Sequence, residues 1–419
     1  MLFWKKFLVN GELPERGGMV DPVVSFIISV IILIGMLVKK VEVHIAVMVA
    51  TIVFGVLALG VKIFESTFEG ILTYSTARLL IAFISALFLS YMMKVSGILE
   101  KMTRLFASLS CNFASLFIPS LVGLIPMPGG ALVSAMMLKE HYLDKQELDS
   151  NFASFLNYWF RHIWVPVWPL YQALILTAVI LDTSIVRVIE ATFPAAIATI
   201  LAGLLISIPL LRKRARKCEI RCVNRWKLAL ASWPFILIIV LVFGVRLPVE
   251  FALLITALIV TLYTRPSKEQ IKEGLKFALS IKILVIVVAV MMYRQYVYDS
   301  RSADALLHFM TERGIPIMPV TFILPFVIGS TTAGEFVYAG TAFPLLINVL
   351  GTGSSINNLA LLLGYTGGYM GVMISPVHLC LILTIEHYRA SFKGTYRYII
   401  PAALISAIIS VVLGVVLWL

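Results

Sequence analysis

Long apolar runs separated by short polar connections fill most of the chain. Runs long enough to cross a membrane lie at residues 20–38, 43–61, 71–93, 185–210, 228–245, 247–263, 278–297 and 397–418. A helix of roughly 20 apolar residues spans the hydrocarbon core of a bilayer. The pattern therefore predicts an all-α polytopic membrane protein.

Two other apolar regions are interrupted near their middle. Residues 111–138 contain the Pro- and Gly-rich segment 125–130, and residues 317–350 contain the small and polar segment 329–335. Each arm has about 9–14 residues, which is too short to span as an ordinary helix. We therefore expect both regions to form re-entrant helical hairpins, which enter the membrane and return.

A second kind of interruption follows each hairpin. Proline and tryptophan crowd residues 158–169 of the apolar region 151–181, and glycine and proline crowd residues 364–376 of the region 357–385. Proline and dense glycine break helices. Irregular backbone within a membrane is tolerated only where protein or a watery cavity satisfies its polar groups. Each region is therefore predicted to be a broken spanning helix.

The hairpins and broken helices recur at a nearly constant offset. An offset of 206 pairs two residues beside the hairpin tips, Pro119 with Pro325 and Gly123 with Gly329. An offset of 207 pairs two residues of the broken helices, Tyr158 with Tyr365 and Pro169 with Pro376. Each half has three spans, a hairpin, a broken span and a last span, so each crosses five times. An odd number of crossings predicts inverted repeats, which are typical of secondary transporters.

This repeat divides the chain into predicted segments. They are an interfacial segment at 1–19, a first repeat at 20–210, a basic cytoplasmic loop at 211–227 and a second repeat at 228–419. Scaffold helices are predicted at 20–93 and 228–297, and the last spans at 185–210 and 397–418. Residues 111–181 and 317–385 are predicted to form a mobile domain.

Composition excludes several classes of protein. Hydrophobic residues make up 60% of the 419 residues and charged residues 13%, whereas soluble domains have about 45–50% and 25%. A soluble enzyme, a nucleic-acid-binding module and a disordered scaffold are therefore excluded. The net charge of +12 is interpreted as topology, since lysine and arginine concentrate in cytoplasmic loops. Placing loop 211–227 in the cytoplasm puts most basic residues on that side and both termini outside it.

The tips and breaks are expected to meet near the middle of the membrane. Half-helix N-termini there present free N–H groups and a positive dipole end, which favour an anion. The candidate substrate-binding residues are Pro126, Pro128, Gly129, Gly130, Arg161, Ser330, Thr331, Thr332, Gly334, Tyr365 and Thr366. The alternative is that these small and polar residues only make tight turns and close helix packing.

Ionisable residues inside a membrane are costly, so they are candidates for function. Arg161 could hold a carboxylate through its fork of donors. Glu335, His162 and His378 are candidates for carrying a coupling proton. Alternatively, Arg161 and Glu335 form a permanent ion pair, and each histidine only bonds a carbonyl. Arg78, in a scaffold span, is expected to have a structural partner.

Other chemistry finds little support in the sequence. Cys218 and Cys222 lie four residues apart without a nearby histidine, which is a weak metal signal. The chain lacks a Walker phosphate loop and a His-Glu-x-x-His motif. We therefore expect no catalytic site, no metal and no cofactor.

The paired hairpins and broken helices resemble those of the ion transporter superfamily. Residues 367–380 (GGYMGVMISPVHLC) are similar to the prokaryotic membrane-protein family "domain of unknown function 401" in that superfamily. The resemblance implies a homodimer in which a mobile domain slides along a fixed scaffold as an elevator. Sodium-coupled dicarboxylate members of the superfamily share a Ser-Asn-Thr motif at both tips, which this chain lacks, so protons are the expected coupling ion.

These observations predict a secondary active transporter in a prokaryotic cytoplasmic (inner) membrane. We expect it to move a small organic anion of the carboxylate type, coupled to protons. One alternative is a cation/proton antiporter without an organic substrate. Another is a membrane enzyme or an assembly scaffold. Its expected partners are the substrate, protons, lipid and a second copy, with no nucleic acid.

Overall fold

The predicted spans fold as helices. A computed structural model describes residues 20–98, 100–102, 111–125, 130–212 and 231–419, and these form helices without a β-strand. The helices of the first half are α1 (Pro22–Val38), α2 (Val43–Leu59), α3 (Ile63–Ile71), α4 (Tyr74–Val95), α5 (Cys111–Gly123), α6 (Gly130–Lys139), α7 (Ser150–Arg161), α8 (Gln172–Ile180) and α9 (Ile185–Arg212). Short 3₁₀ and π segments lie at Gly60–Lys62 and Glu140–Lys145.

The second half continues the same order of elements. Its helices are α10 (Trp233–Ile239), α11 (Val249–Thr264), α12 (Lys268–Ala278), α13 (Ile281–Asp299), α14 (Ser302–Glu312), α15 (Ile317–Thr332), α16 (Glu335–Leu345), α17 (Ile347–Leu350), α18 (Asn358–Ile374), α19 (Leu379–Tyr388) and α20 (Phe392–Trp418). A π segment at Val240–Gly244 extends α10.

Helix length and hydropathy agree with a multi-pass membrane protein. Six helical stretches among the described residues are long and apolar enough to cross a bilayer, and four shorter apolar helices accompany them. Phe251, Leu258 and Leu262 on α11 remain exposed, as expected for a helix that faces lipid or a partner subunit. The predicted interfacial segment 1–19 and most of the basic loop 211–227 lie outside the described residues.

The second broken helix differs from its prediction. Residues 358–374 form one unbroken helix, and the break falls later, at residues 375–378. The glycines expected to interrupt the helix instead form a packing face. A Cβ on Gly367 would lie 2.1 Å from the Phe322 carbonyl oxygen, and one on Gly371 would lie 2.3 Å from that of Phe326. Glycine therefore lets α15 and α18 approach closely, and proline at 376 supplies the break.

Packing contacts recur with the two halves exchanged. In the scaffold, α2 and α3 of the first half both pack on α13 of the second half. The corresponding helices of the second half, α11 and α12, both pack on α4 of the first half. Among the hairpins and broken helices, α5 packs on α7 as α15 packs on α18, and α6 packs on α19 as α16 packs on α8. The last spans α9 and α20 pack on each other. These paired contacts support the prediction that the chain has two related halves. The boundaries of the halves and their opposite orientations stay predictions.

Two glycines at equivalent positions of the two halves make equivalent close contacts. A Cβ on Gly123 would lie 2.0 Å from the carbonyl oxygen of Arg161, and one on Gly329 would lie 2.3 Å from that of Gly368. The glycines are offset by 206 and their contacts by 207. Each hairpin therefore presses its first arm against the same turn of its broken helix.

An ion pair joins the two halves of the scaffold. The Nε of Arg78 on α4 lies 2.6 Å from Oε1 of Glu250 on α11, and Glu250 is 2% exposed. The expected structural partner of Arg78 is therefore present. Loss of Arg78 would leave the buried Glu250 carboxylate without its partner, which is unfavourable.

We predict that alanine at Gly123 or Gly329 destabilises the protein. Either Cβ would overlap a backbone oxygen that cannot move alone, so the expected loss is about 1–3 kcal/mol or more. The matched control is Gly35→Ala, because a Cβ at Gly35 on α1 meets nothing within 4 Å. Thermal unfolding of purified protein in detergent should show lower midpoints for Gly123→Ala and Gly329→Ala only. Equal midpoints for all three variants would contradict the hairpin packing.

Candidate functional site

The two helix breaks lie side by side in the core. Helix α7 ends at Arg161 and resumes as α8 at Gln172, with prolines at 166 and 169 between them. Helix α18 ends at Ile374 and resumes as α19. Proline cannot donate a backbone hydrogen bond, so these segments leave the helical path. The freed backbone groups need other partners because a membrane interior offers no water.

Equivalent tyrosines bridge the breaks in both directions. The Tyr158 hydroxyl on α7 donates to the Met373 carbonyl at 3.0 Å, at the end of α18. The Tyr365 hydroxyl on α18 donates to the Val165 carbonyl at 2.9 Å, inside the first break. The two tyrosines are offset by 207 residues. Each half therefore satisfies the interrupted backbone of the other.

The first break also completes the C-terminal end of α5. Trp164 Nε1 donates to the Ser120 carbonyl at 2.9 Å and Trp168 Nε1 to the Leu124 carbonyl at 2.8 Å. The Tyr171 hydroxyl donates to a third carbonyl of this turn, that of Gly123, at 2.7 Å. The last carbonyls of a helix lack intrahelical partners, and here side chains supply them. These aromatic residues are therefore caps for the first hairpin arm.

Four polar side chains meet where the broken helices cross. Arg161, His162 and His378 are 3%, 2% and 7% exposed, and Cys380 is 9% exposed. Arg161 Nη1 points at Cys380 Sγ, at 3.8 Å. The rings of His162 and His378 have centroids 5.0 Å apart. Residues 161 and 162 end α7, and 378 and 380 begin α19, so the crossing of the two breaks assembles the cluster.

The histidine rings are held by their Nδ1 atoms. His162 Nδ1 lies 2.7 Å from the Tyr158 carbonyl oxygen. His378 Nδ1 lies 3.1 Å from the Val372 carbonyl oxygen and 3.0 Å from the Tyr158 hydroxyl. Tyr158 therefore positions both rings through its backbone and its side chain.

Glu335 completes the electrostatic neighbourhood. It is the first residue of α16, at the second hairpin tip, where Ala333 adopts a left-handed conformation with φ 52°. Its carboxylate interacts electrostatically with Arg161, His378 and Cys380. The structure thus places Glu335 and Arg161 in one neighbourhood.

The hydroxyls of the second tip are already used as donors. Ser330 and Thr331 donate to the Val327 carbonyl at 3.0 and 2.9 Å, and Thr332 donates to that of Ile328 at 2.8 Å. Their oxygens remain available only as acceptors. A ligand anion at this tip would have to be met by other donors.

Backbone N–H groups are the alternative donors. Helices α8, α16 and α19 each begin after a break or a tip, and none has a side-chain hydrogen bond at its N-terminus. Helix α16 packs on α8, and α19 packs on α7. Uncapped N-termini of this kind attract negative charge.

The remaining residues predicted to bind substrate do not all lie at a tip or a break. Gly130 begins α6 and Gly334 precedes α16, whereas Pro126, Pro128 and Gly129 lie outside the described residues. Tyr365 and Thr366 lie within α18 instead of at its break. The fully buried Thr366 hydroxyl has no hydrogen-bond partner among the described residues.

Cys380 belongs to this cluster but was not among the predicted site residues. It lies two residues after His378, so the His-x-Cys pair at the start of a helix was a usable signal. The other half of the cluster, His162, is more than 200 residues away in the chain. Only the fold brings the three together, with ligand atoms within 4.8 Å of one another.

Comparisons with known proteins identify the family. The chain belongs to the family "Protein of unknown function (DUF401)", whose model matches residues 22–417. A solved structure, the crystal structure of the Alcanivorax borkumensis YdaH transporter, which is described as having an unusual topology, matches with a TM-score of 0.50 and 13% identity. The match covers 85% of this chain and 88% of that one. No curated protein matches. The likeness shows a shared fold.

We predict that Tyr158→Phe destabilises the crossing of the broken helices. The change leaves the buried Met373 carbonyl without its donor, which costs about 1–3 kcal/mol. Tyr293→Phe is the matched control, because the buried Tyr293 hydroxyl has no hydrogen-bond partner in the described structure. Thermal unfolding should therefore separate the two variants. If Tyr293→Phe proves as harmful as Tyr158→Phe, the bridging role assigned to Tyr158 is wrong.

Proposed function

We propose that this member of the family is a secondary active transporter of a small carboxylate anion, coupled to protons. The observation that carries the proposal is the buried cluster of Arg161, His162, His378 and Cys380 beside Glu335, at the crossing of two broken helices. Ionisable groups this deep in a membrane protein mark a substrate or ion pathway. Paired broken helices are where secondary transporters bind their substrates.

Arg161 is the proposed anchor for the carboxylate. Its side chain is buried, its Nη1 points at Cys380 in the first turn of α19, and it interacts with Glu335 in the first turn of α16. Neither helix has a side-chain cap at its N-terminus. A carboxylate there would accept charge-assisted bonds from Arg161 and bonds from backbone N–H groups. We propose Gly130, Gly334 and Thr366 as further contacts.

Glu335 is the proposed proton carrier. It is half-buried at the mobile tip and shares its neighbourhood with Arg161. Protonation would remove its negative charge and favour an incoming carboxylate next to Arg161. Release of the proton would restore repulsion and favour release of the substrate. His162 and His378 are alternative proton carriers in the same cluster.

The proposed movement is an elevator. Helices α5–α8 and α15–α19 pack mainly against one another, and they include both hairpins and both breaks. Helices α1–α4 and α10–α13 form a second set, which we assign to the scaffold and to a homodimer interface. Neutralising Arg161 with substrate would lower the free energy of moving the site past lipid. We also propose a prokaryotic inner membrane with both termini outside the cytoplasm.

Proteoliposome flux tests this function. A panel of radiolabelled mono- and dicarboxylates should show uptake that an imposed inward proton gradient accelerates. Arg161→Gln should lower the uptake at least tenfold, since a hydrogen bond to a charged group contributes about 1.5–3 kcal/mol. Glu335→Gln should permit exchange of substrate but abolish acceleration by the gradient.

Matched controls separate these effects from general damage. Arg187→Gln and Glu190→Gln change an ion pair on α9 that is 35% and 56% exposed, and both should transport normally. Glu335→Gln protein that still responds fully to the proton gradient would refute the coupling role. Gradient-driven cation flux without uptake of any carboxylate would instead favour the antiporter.

A further inference from the structure

We propose that His162, His378 and Cys380 form a binding site for Zn²⁺. One ligand atom from each residue lies within 4.8 Å of the other two, and all three side chains are buried. In a tetrahedral zinc site with Zn–N near 2.0–2.1 Å and Zn–S near 2.3 Å, ligand atoms are roughly 3.4–3.6 Å apart. The separations between ligand atoms would therefore have to shorten by at most about 1.4 Å. This inference does not depend on the proposed transport function.

The hydrogen bonds of the two rings leave the correct nitrogens for a metal. The carbonyl oxygen of Tyr158 can only accept, so the His162 Nδ1 atom 2.7 Å away carries the proton. The Tyr158 hydroxyl donates its one proton to the Met373 carbonyl. His378 Nδ1, which faces that hydroxyl and the Val372 carbonyl, is then also protonated. In both neutral imidazoles the lone pair lies on Nε2.

Backbone carbonyls that fix the tautomer are typical of metal-binding histidines. The Nδ1–H donates outward to a carbonyl or carboxylate, which orients the ring and leaves Nε2 for the metal. Here both histidines have such a carbonyl, from Tyr158 and Val372. The rings are therefore already oriented before any metal binds.

The side chains of His162, His378 and Cys380 direct more lone pairs at one another than they have protons to donate. Two imidazole nitrogens and one sulfur converge, and the thiol of Cys380 supplies a single proton. Arg161 Nη1 lies 3.8 Å from the same sulfur. Zinc binding would form one Zn–S and two Zn–N bonds and release the thiol proton to water. Imidazole and thiolate ligands select zinc over hard cations such as Mg²⁺.

Nearby charge decides whether a cation is tolerated beside Arg161. The carboxylate of Glu335 interacts with His378, Cys380 and Arg161. With Cys380 as thiolate and Glu335 ionised, their negative charges exceed that of the guanidinium by one. The fourth zinc position is open to Glu335 or to a bound anion. Because His162 begins the first break and His378 lies in the second, bound zinc would connect the two broken helices.

Metal binding to the full-length protein in detergent tests the proposal. Bound metal is first removed with a chelator. In competition with a chromophoric chelator, the protein should then bind one equivalent of Zn²⁺ per chain. Cys380→Ser, His162→Gln and His378→Gln should each weaken binding at least about 100-fold, since even loss of an outer-shell partner costs 10–100-fold. The control His308→Gln, whose side chain is 68% exposed, should bind as wild type.

Cobalt gives a readout that does not depend on the stability of the variants. Co²⁺ added to the wild-type protein should produce a thiolate-to-cobalt charge-transfer band, and zinc should displace it. Absence of that band, or zinc binding by Cys380→Ser equal to wild type, would overturn the site. Zinc binding without carboxylate transport would support the site and refute only the proposed function.

Discussion

The membrane interior offers no water to a broken helix, and the structure depends on how this demand is met. Interrupted backbone groups need partners from protein or from a watery cavity. Trp164, Trp168 and Tyr171 donate to the end of α5, while Tyr158 and Tyr365 donate to the opposite breaks. Indole and phenol groups serve well because they bury a large apolar surface and end in a single donor. The aromatic residues at the breaks are thus structural donors as well as packing groups.

The crossing that provides hydrogen-bond partners for the interrupted backbone also brings charged groups together. Where the first and second breaks cross, the end of α7 faces the start of α19, and four polar side chains are buried. Such a cluster is tolerated only when its members compensate one another. Arg161 faces the sulfur of Cys380, and Glu335 lies nearby. The cluster therefore combines a cation, an anion and metal-type ligands, which is why both an anion and zinc are reasonable occupants under different conditions.

The two halves share packing contacts, but they differ at the residues of the polar cluster. Gly123 and Gly329 make equivalent contacts in the two halves. At the same offset of 207, however, Arg161 corresponds to Gly368, His378 to Tyr171 and Cys380 to Ala173. The polar cluster thus arises where the two halves differ, so one asymmetric site lies between two similar frameworks.

Apolar length and proline act locally, so the sequence was enough to predict the spans, the paired short helices of each hairpin and the first broken helix. It also singled out Arg161, His162, His378 and Glu335 as candidate site residues. It placed the second break too early, since glycine's helix-breaking tendency was offset by close packing of α15 on α18. Only the tertiary structure decided that Cys380 joins His162 and His378. That contact spans more than 200 residues of chain, and no local pattern encodes which turns of two broken helices will cross.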